Sequence, residues 1–350
     1  MSEINDIRTM QDFRISSFSK YKKTEVSKAF LQSLIDIKKE NACYWCAEMV
    51  CSGMFLELWN VIINFMSKYI YIGNPQLPKY ISKRIEDFKK IVNNGYVGYE
   101  LQLRNKTEIR KLFVEIIGII LSSKRKNPLS PIKLSEADFT IVVMSQKFNA
   151  KDTSLLENIY LKNDPKETFM AFNEFAYNIS KMISNSLTSC YWIEWIIEYE
   201  AICKKKKIKC SCERRTFANV TPKYQMSIVW ILWELLLRES KLRGDYYHSI
   251  VKSLLDIFCL HYSPSNNKKF KNLLYFAIYL LCENSDNNLS FIHNKDLVNL
   301  LIKNTDKFYK QIKNVEIAPN TEYLFDGLQS KKSNREKTIQ KLEIIDKINH

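Results

Sequence analysis

Glycine and proline are scarce in this chain, at seven and eight among 350 residues. Strand-rich folds and folds that cradle nucleotides depend on glycine turns, so the scarcity favours helices with short connections. Histidine is rarer still: His248, His261, His293 and His350 stand isolated from one another. There is no HExxH pair, no Ser/His/Asp elbow and no HxE…CxxC signature, which sets aside protease, hydrolase and deaminase chemistry. None of the seven glycines opens or closes a G-x4-G-K pattern, so the phosphate-binding loop of an ATPase is missing too. No catalytic motif is recognisable, and no cofactor is implied.

Long apolar runs are also absent. A membrane span needs roughly 18 consecutive apolar residues. The nearest approach, MSIVWILWELLL at 226–237, is shorter and holds Glu234. The N-terminal MSEINDIRTMQDF is polar and charged, without a signal-peptide pattern. Nine cysteines, an odd number, are scattered singly and mostly in apolar stretches, the pattern of free thiols rather than a disulfide framework. The expectation is an intracellular protein, not secreted, with no membrane partner.

What the chain has is apolar mass and positive charge. Apolar residues make up 46% and aromatics 13%, enough for a substantial core. Hydrophobic periodicity is helical throughout, which predicts an all-α fold. Val26, Phe30, Leu34 and Ile37 share one face, and Cys43, Cys46, Ala47 and Val50 recur at i, i+3, i+4 and i+7. Gly53 marks a break, Thr107 reads as an N-cap, and Asp164-Pro165 reads as a helix start. The tripeptide Cys-Tyr-Trp occurs twice, at 43–45 and 190–192, each time inside a helical stretch. That repetition predicts two related multi-helix modules, at 21–125 and 151–317. A flexible N-terminus (1–20) precedes them, and a Pro-, Ser- and charge-rich linker (126–150) separates them. A polar tail (318–350) follows, with a weak amphipathic helix through Ile339, Leu342 and Ile345.

The net charge is +15, carried mainly by lysine. Bidentate phosphate recognition favours arginine, so this composition predicts general polyanion affinity and no sequence readout. The sharpest cluster is KKKKIKCSCERR at 204–215. Lys204, Lys205, Lys206, Lys207, Lys209, Arg214 and Arg215 there are the candidate nucleic-acid-binding residues, neutralising phosphates without base preference. Tyr199 and Phe217 flank the cluster and could stack on unpaired bases. The bland alternative is a solvated loop between helices. Lys124, Arg125, Lys126 and Lys133 form a secondary basic patch in the linker.

Metal and carboxylate chemistry is weaker. Cys43 and Cys46 lie on an apolar helix stripe and read as core. Cys203, Cys210 and Cys212 are weak metal candidates, because their x6 and x1 spacings match no common zinc module. Glu194 and Glu198, one turn apart, could serve as an acid–base pair, yet they read better as a charged helix face beside the lysines that follow.

Two resemblances add to this reading. Residues 28–78, through Ala42, Tyr44, Trp45, Ala47, Gly53, Trp59 and the IGNP turn from Ile72 to Pro75, resemble the helical C-terminal region of clamp-loader-like AAA+ ATPases. The ATPase motor itself is missing. The Lys/Asn/Ile bias and the segment WIEWIIEYEAICKKKK-x-KCSCERRTFA look like the helical proteins of giant nucleocytoplasmic DNA viruses. These resemblances imply a non-enzymatic binding or scaffold protein acting in viral genome replication, transcription or packaging, with nucleic acid, other viral proteins or itself as partners. The alternative they imply is a structural virion protein. The location would then be the host cytoplasm (a viral factory) or the virion.

Overall fold

The structure is a computed structural model that describes residues 3–130, 132–263, 270–284 and 290–317. The fold is all-α. Among the described residues there are thirteen α-helices and no strand. The first five are α1 (Lys23–Ile35), α2 (Lys39–Cys51), α3 (Phe55–Phe65), α4 (Leu77–Asn93) and α5 (Thr107–Ser122). A short α6 (Ile141–Ser145) precedes α7 (Phe169–Ile179), α8 (Ser186–Lys205) and α9 (Val229–Arg243). The last are α10 (Asp245–His261), α11 (Lys271–Cys282), α12 (Lys295–Lys303) and α13 (Thr305–Lys313). The predicted tail helix, with Ile339, Leu342 and Ile345, and His350 lie outside the described residues.

Helix ends follow local chemistry. α2 stops at Gly53, whose φ of +68° lets Met54 N–H reach Met49 O and Gly53 N–H reach Val50 O. This is the glycine-terminated double hydrogen bond of many helix C-termini. α1 ends by the same pattern, with Lys38 N–H bonded to Ser33 O and Ile37 N–H to Leu34 O. The left-handed position there is Ile37, at φ +58°, and it is 48% exposed. The expected core stripe therefore ends at Leu34. Thr107 is the first residue of α5 rather than its cap, since Lys106 holds that position. Asp164-Pro165 does precede helical structure, with Pro165 at the cap position, but the first turn is not α-helical. A 3-10 turn over Lys166–Thr168 leads directly into α7, and the Asp164 carboxylate is used elsewhere.

One continuous core runs from Ile4 to Ile312. The N-terminal segment, read from sequence as flexible, is pinned from residue 4 onward by buried Ile4, Phe13 and Phe18. Polar composition hid these three anchors. Buried Glu48 on α2 adds to them, accepting the Ser19 backbone N–H at 2.6 Å and its hydroxyl at 2.7 Å.

The sequence-drawn linker does not separate two cores. Lys126 N–H bonds Tyr69 O, Leu129 N–H bonds Lys68 O, and Leu129 itself is buried. Helices assigned on sequence to the second half also return to the first: α10 packs on α4, α12 on α5 and α13 on α2. Tyr309 of α13 is fully buried, with the Arg110 guanidinium 4.1 Å above its ring. At Gly118 the approach of α12 to α5 is so close that a Cβ would sit 3.2 Å from the Val298 backbone. Gly118→Leu is expected to wedge α12 off α5 and lower stability by about 1–3 kcal/mol, the usual cost of overpacking. Urea unfolding followed by circular dichroism measures it; an unchanged midpoint contradicts this packing.

Candidate nucleic-acid interface

The lysine run begins on α8 and continues past its end. Lys204 and Lys205 occupy the last turn, Lys206 caps it, and Lys207 takes φ +57°. Ile208 N–H then reaches Cys203 O at 2.9 Å and Lys207 N–H reaches Lys204 O at 3.2 Å, the same double-bonded stop used by α1 and α2. Here a lysine stands where glycine is preferred. Cations in a last turn are favoured by the exposed carbonyls and the helix dipole, which accounts for Lys204 and Lys205. That effect fades beyond the turn, so Lys207 and Lys209 owe nothing to it.

All five lysines of the run are exposed, and none forms an ion pair among the described residues. The loop that carries them onward is nonetheless held. Cys212 N–H bonds Met226 O at 2.9 Å, Arg215 N–H bonds Gln225 O at 3.0 Å, and exposed Arg214 reaches the Gln225 side chain at 2.6 Å. The charges are thus displayed on a tethered backbone.

Arg215 does not belong with them. It is 4% exposed, and its guanidinium is used inward. Nη2 meets Asp164 Oδ2 at 2.6 Å and Ile159 O at 2.8 Å, Nη1 meets Glu213 O at 3.0 Å, and Nε meets Glu234 Oε2 at 2.8 Å. Planar, five-donor arginine is suited to such a junction, and it is out of reach of an external phosphate. The neighbouring Arg214, identical in type, points outward; only tertiary structure tells the two apart.

The other sequence candidates fall out similarly. Arg125 of the secondary basic patch turns back to cap α1, donating to Leu34 O at 2.5 Å and lying 4.8 Å over Phe65, whereas Lys124 and Lys133 stay exposed. Glu194 is 8% exposed and accepts Lys271 Nζ at 2.6 Å together with the Tyr275 hydroxyl, so it ties α8 to α11. Glu198 is only partly exposed, and Glu200 accepts the Ser227 hydroxyl at 2.7 Å. Tyr199 is stacked on Trp195, with centroids 4.9 Å apart and planes at 9°, which leaves Phe217, at 38% exposure, as the more open flanking aromatic.

Cys203 and Cys212 are buried and Cys210 is half-buried. The Cys212 thiol donates to Ser227 O at 3.1 Å, and burial pushes it up to about 12. Burial, with Cys203 beside it, raises Cys210 as well. No group of three or more His, Cys, Asp or Glu able to hold a metal occurs among the described residues, so these three cysteines are not gathered into one. No helix among the described residues is long and apolar enough to cross a membrane. No protein-family model, curated protein or solved structure matches the chain.

Two outcomes separate the inward from the outward residues. Arg215→Ala leaves Asp164 buried and unpaired, and is expected to cost about 3–5 kcal/mol in chemical denaturation; a loss under 1 kcal/mol contradicts the inward role. Lys207→Gly relieves a left-handed lysine and should raise stability by up to about 1 kcal/mol, seen as a higher melting temperature.

Proposed function

We propose that this chain is a non-enzymatic binding and scaffold protein that holds nucleic acid without sequence preference through Lys204, Lys205, Lys206, Lys207 and Lys209, assisted by Arg214. One observation carries the reading: five lysines within six positions are exposed, without an ion pair among the described residues, and mounted on a pinned turn. Packing such like charges side by side brings no internal gain and is offset by an external polyanion, whose counterions are released on binding. Compact ammonium groups give charge without the bidentate geometry that reads guanine, which fits phosphate contact alone.

Protein partners, whether other viral proteins or a second copy, are assigned to apolar side chains left at the surface. Met10 and Tyr99 line a shallow hollow of about 550 Å³, with Val97 and Ile7 also more than half exposed nearby in sequence. A role in viral replication, transcription or packaging is supported by the resemblances of 28–78 and of the α8 segment.

Retention on a heparin or single-stranded DNA column is expected to fall steeply with salt, since each neutralised phosphate adds about 0.7 to the logarithmic salt slope for single strands. Changing Lys204–Lys207 to Gln should remove most of the retention and flatten that slope while circular dichroism stays unchanged. Equal retention in the variant places the binding elsewhere.

A further inference from the structure

The two Cys-Tyr-Trp copies have the same local geometry and different surroundings. In each, the tyrosine and tryptophan rings stand nearly perpendicular: 5.2 Å and 79° for Tyr44–Trp45, 5.1 Å and 81° for Tyr191–Trp192. Both cysteines are buried. In the second copy Trp192 is fully covered, with Phe148 stacked at 6.0 Å, and the Tyr191 hydroxyl donates to Asp138. In the first copy the rings are left partly open. Of the six tryptophans, Trp45 alone is not buried.

What lies over Trp45 is a pocket of about 410 Å³, within the size range of small-molecule sites. Three separate segments build it: the turn before α1, the first two turns of α2, and α13. Tyr21 adds a third ring, 5.3 Å from Trp45 and inclined at 70°, and Phe308 of α13, 3% exposed, contributes to the lining. Asn41 of α2 and Gln311 of α13, both exposed, complete the polar part of the lining, and neither side-chain amide makes a hydrogen bond among the described residues. Each carries both a donor and an acceptor.

We propose that this pocket takes an unpaired nucleobase, from a free nucleotide or from a single strand. A base offers a flat π face for Tyr and Trp, and an edge of alternating donors and acceptors for amides. The charge balance points the same way. Glu40 is already paired with Lys307 at 3.6 Å, and Lys20 and Lys39, adjacent in sequence to the lining residues Tyr21 and Glu40, are exposed and without ion pairs among the described residues. The two charged residues of the lining therefore cancel, and the pocket holds no unpaired carboxylate that would oppose a phosphate or select an organic cation. The site shares no residue with the lysine run of α8, so it stands or falls separately from it.

The test uses the full chain and the unique exposure of Trp45. Acrylamide quenching of tryptophan emission is measured alone and with AMP, CMP, GMP, UMP, a poly(dT) strand and a duplex. Saturable protection of Trp45 by a mononucleotide shows that base and phosphate suffice. Protection by the strand but by no mononucleotide shows that a continuous backbone is needed. Either outcome supports the pocket, provided the duplex protects less. Affinities for the protecting ligand are then compared by calorimetry. The exposed pair Asn41→Ala/Gln311→Ala, which leaves the core untouched, should weaken binding about tenfold. Trp45→Ala should do so at least as strongly, whereas Trp45→Phe, which keeps a stacking ring, should stay within a few-fold. Lys204–Lys207→Gln should leave mononucleotide protection unchanged. The assignment is overturned by absence of protection from every nucleotide and strand, by equal protection from duplex, or by protection from tetramethylammonium instead. Loss of mononucleotide protection in the lysine variant, or full affinity in the amide variant, overturns it as well.

Discussion

The return of α12 and α13 onto α5 and α2 is the constraint on which the rest of this structure depends. It brings α12 so near position 118 that a Cβ there would lie 3.2 Å from the Val298 backbone, a tight approach that glycine eases. It also buries Tyr309 of α13 completely, with Arg110 of α5 covering its ring at 4.1 Å. Arg110 is fixed in turn by Arg104 O at 2.5 Å and Asn105 Oδ1 at 2.9 Å, and Asn105 bonds the backbone of Ile4. One contact between distant helices thus organises the N-terminal segment, the 3-10 turn before α5 and the closing helix together.

Buried charges perform a second organising task, holding long connections that lack regular structure. Glu48 receives the backbone of Ser19, and Glu174 of α7 receives the N–H groups of Asn149 and Ala150. Arg215 joins the loop after α8 to Asp164, Ile159 and Glu234. Burial lifts the Glu234 carboxyl above its usual range, and the nearby Arg215 opposes that rise. Each such group carries a desolvation cost that only complete hydrogen bonding offsets, so each specifies one loop geometry and penalises others. The anchoring of these loops thus falls to interior charges and not to the exposed lysines of the α8 run.

Much of the fold was legible in the sequence, and the reasons differ by element. Period-3.6 stripes such as Cys43, Cys46, Ala47 and Val50 announced their helices, and Gly53 announced a stop, since both signals are local. The exposed lysines were legible too, because a run of like charge has few places to go but solvent. What was hidden was nonlocal. Arg214 and Arg215 are indistinguishable until Asp164, some fifty residues away, is placed beside one of them. Ile4, Phe13 and Phe18 are single apolar residues in polar text and show no period. The continuity of the core across 126–150 could not be read from composition, because a proline- and charge-rich stretch looks the same whether it bridges two bodies or runs along one. The pocket at Trp45 needed α13, which no spacing in the α2 segment foretells.

The close fit of α13 against α2 also has a consequence for how the chain acquires its structure. These partners are separated by some two hundred and sixty residues, so their pairing is among the most nonlocal in the molecule, and nonlocal pairing is slow. During synthesis, the apolar faces of α2 and α5 emerge early and must wait for residues 295–313 before they are covered. Throughout that interval a nascent chain presents a sticky, incomplete surface of the kind that chaperones engage.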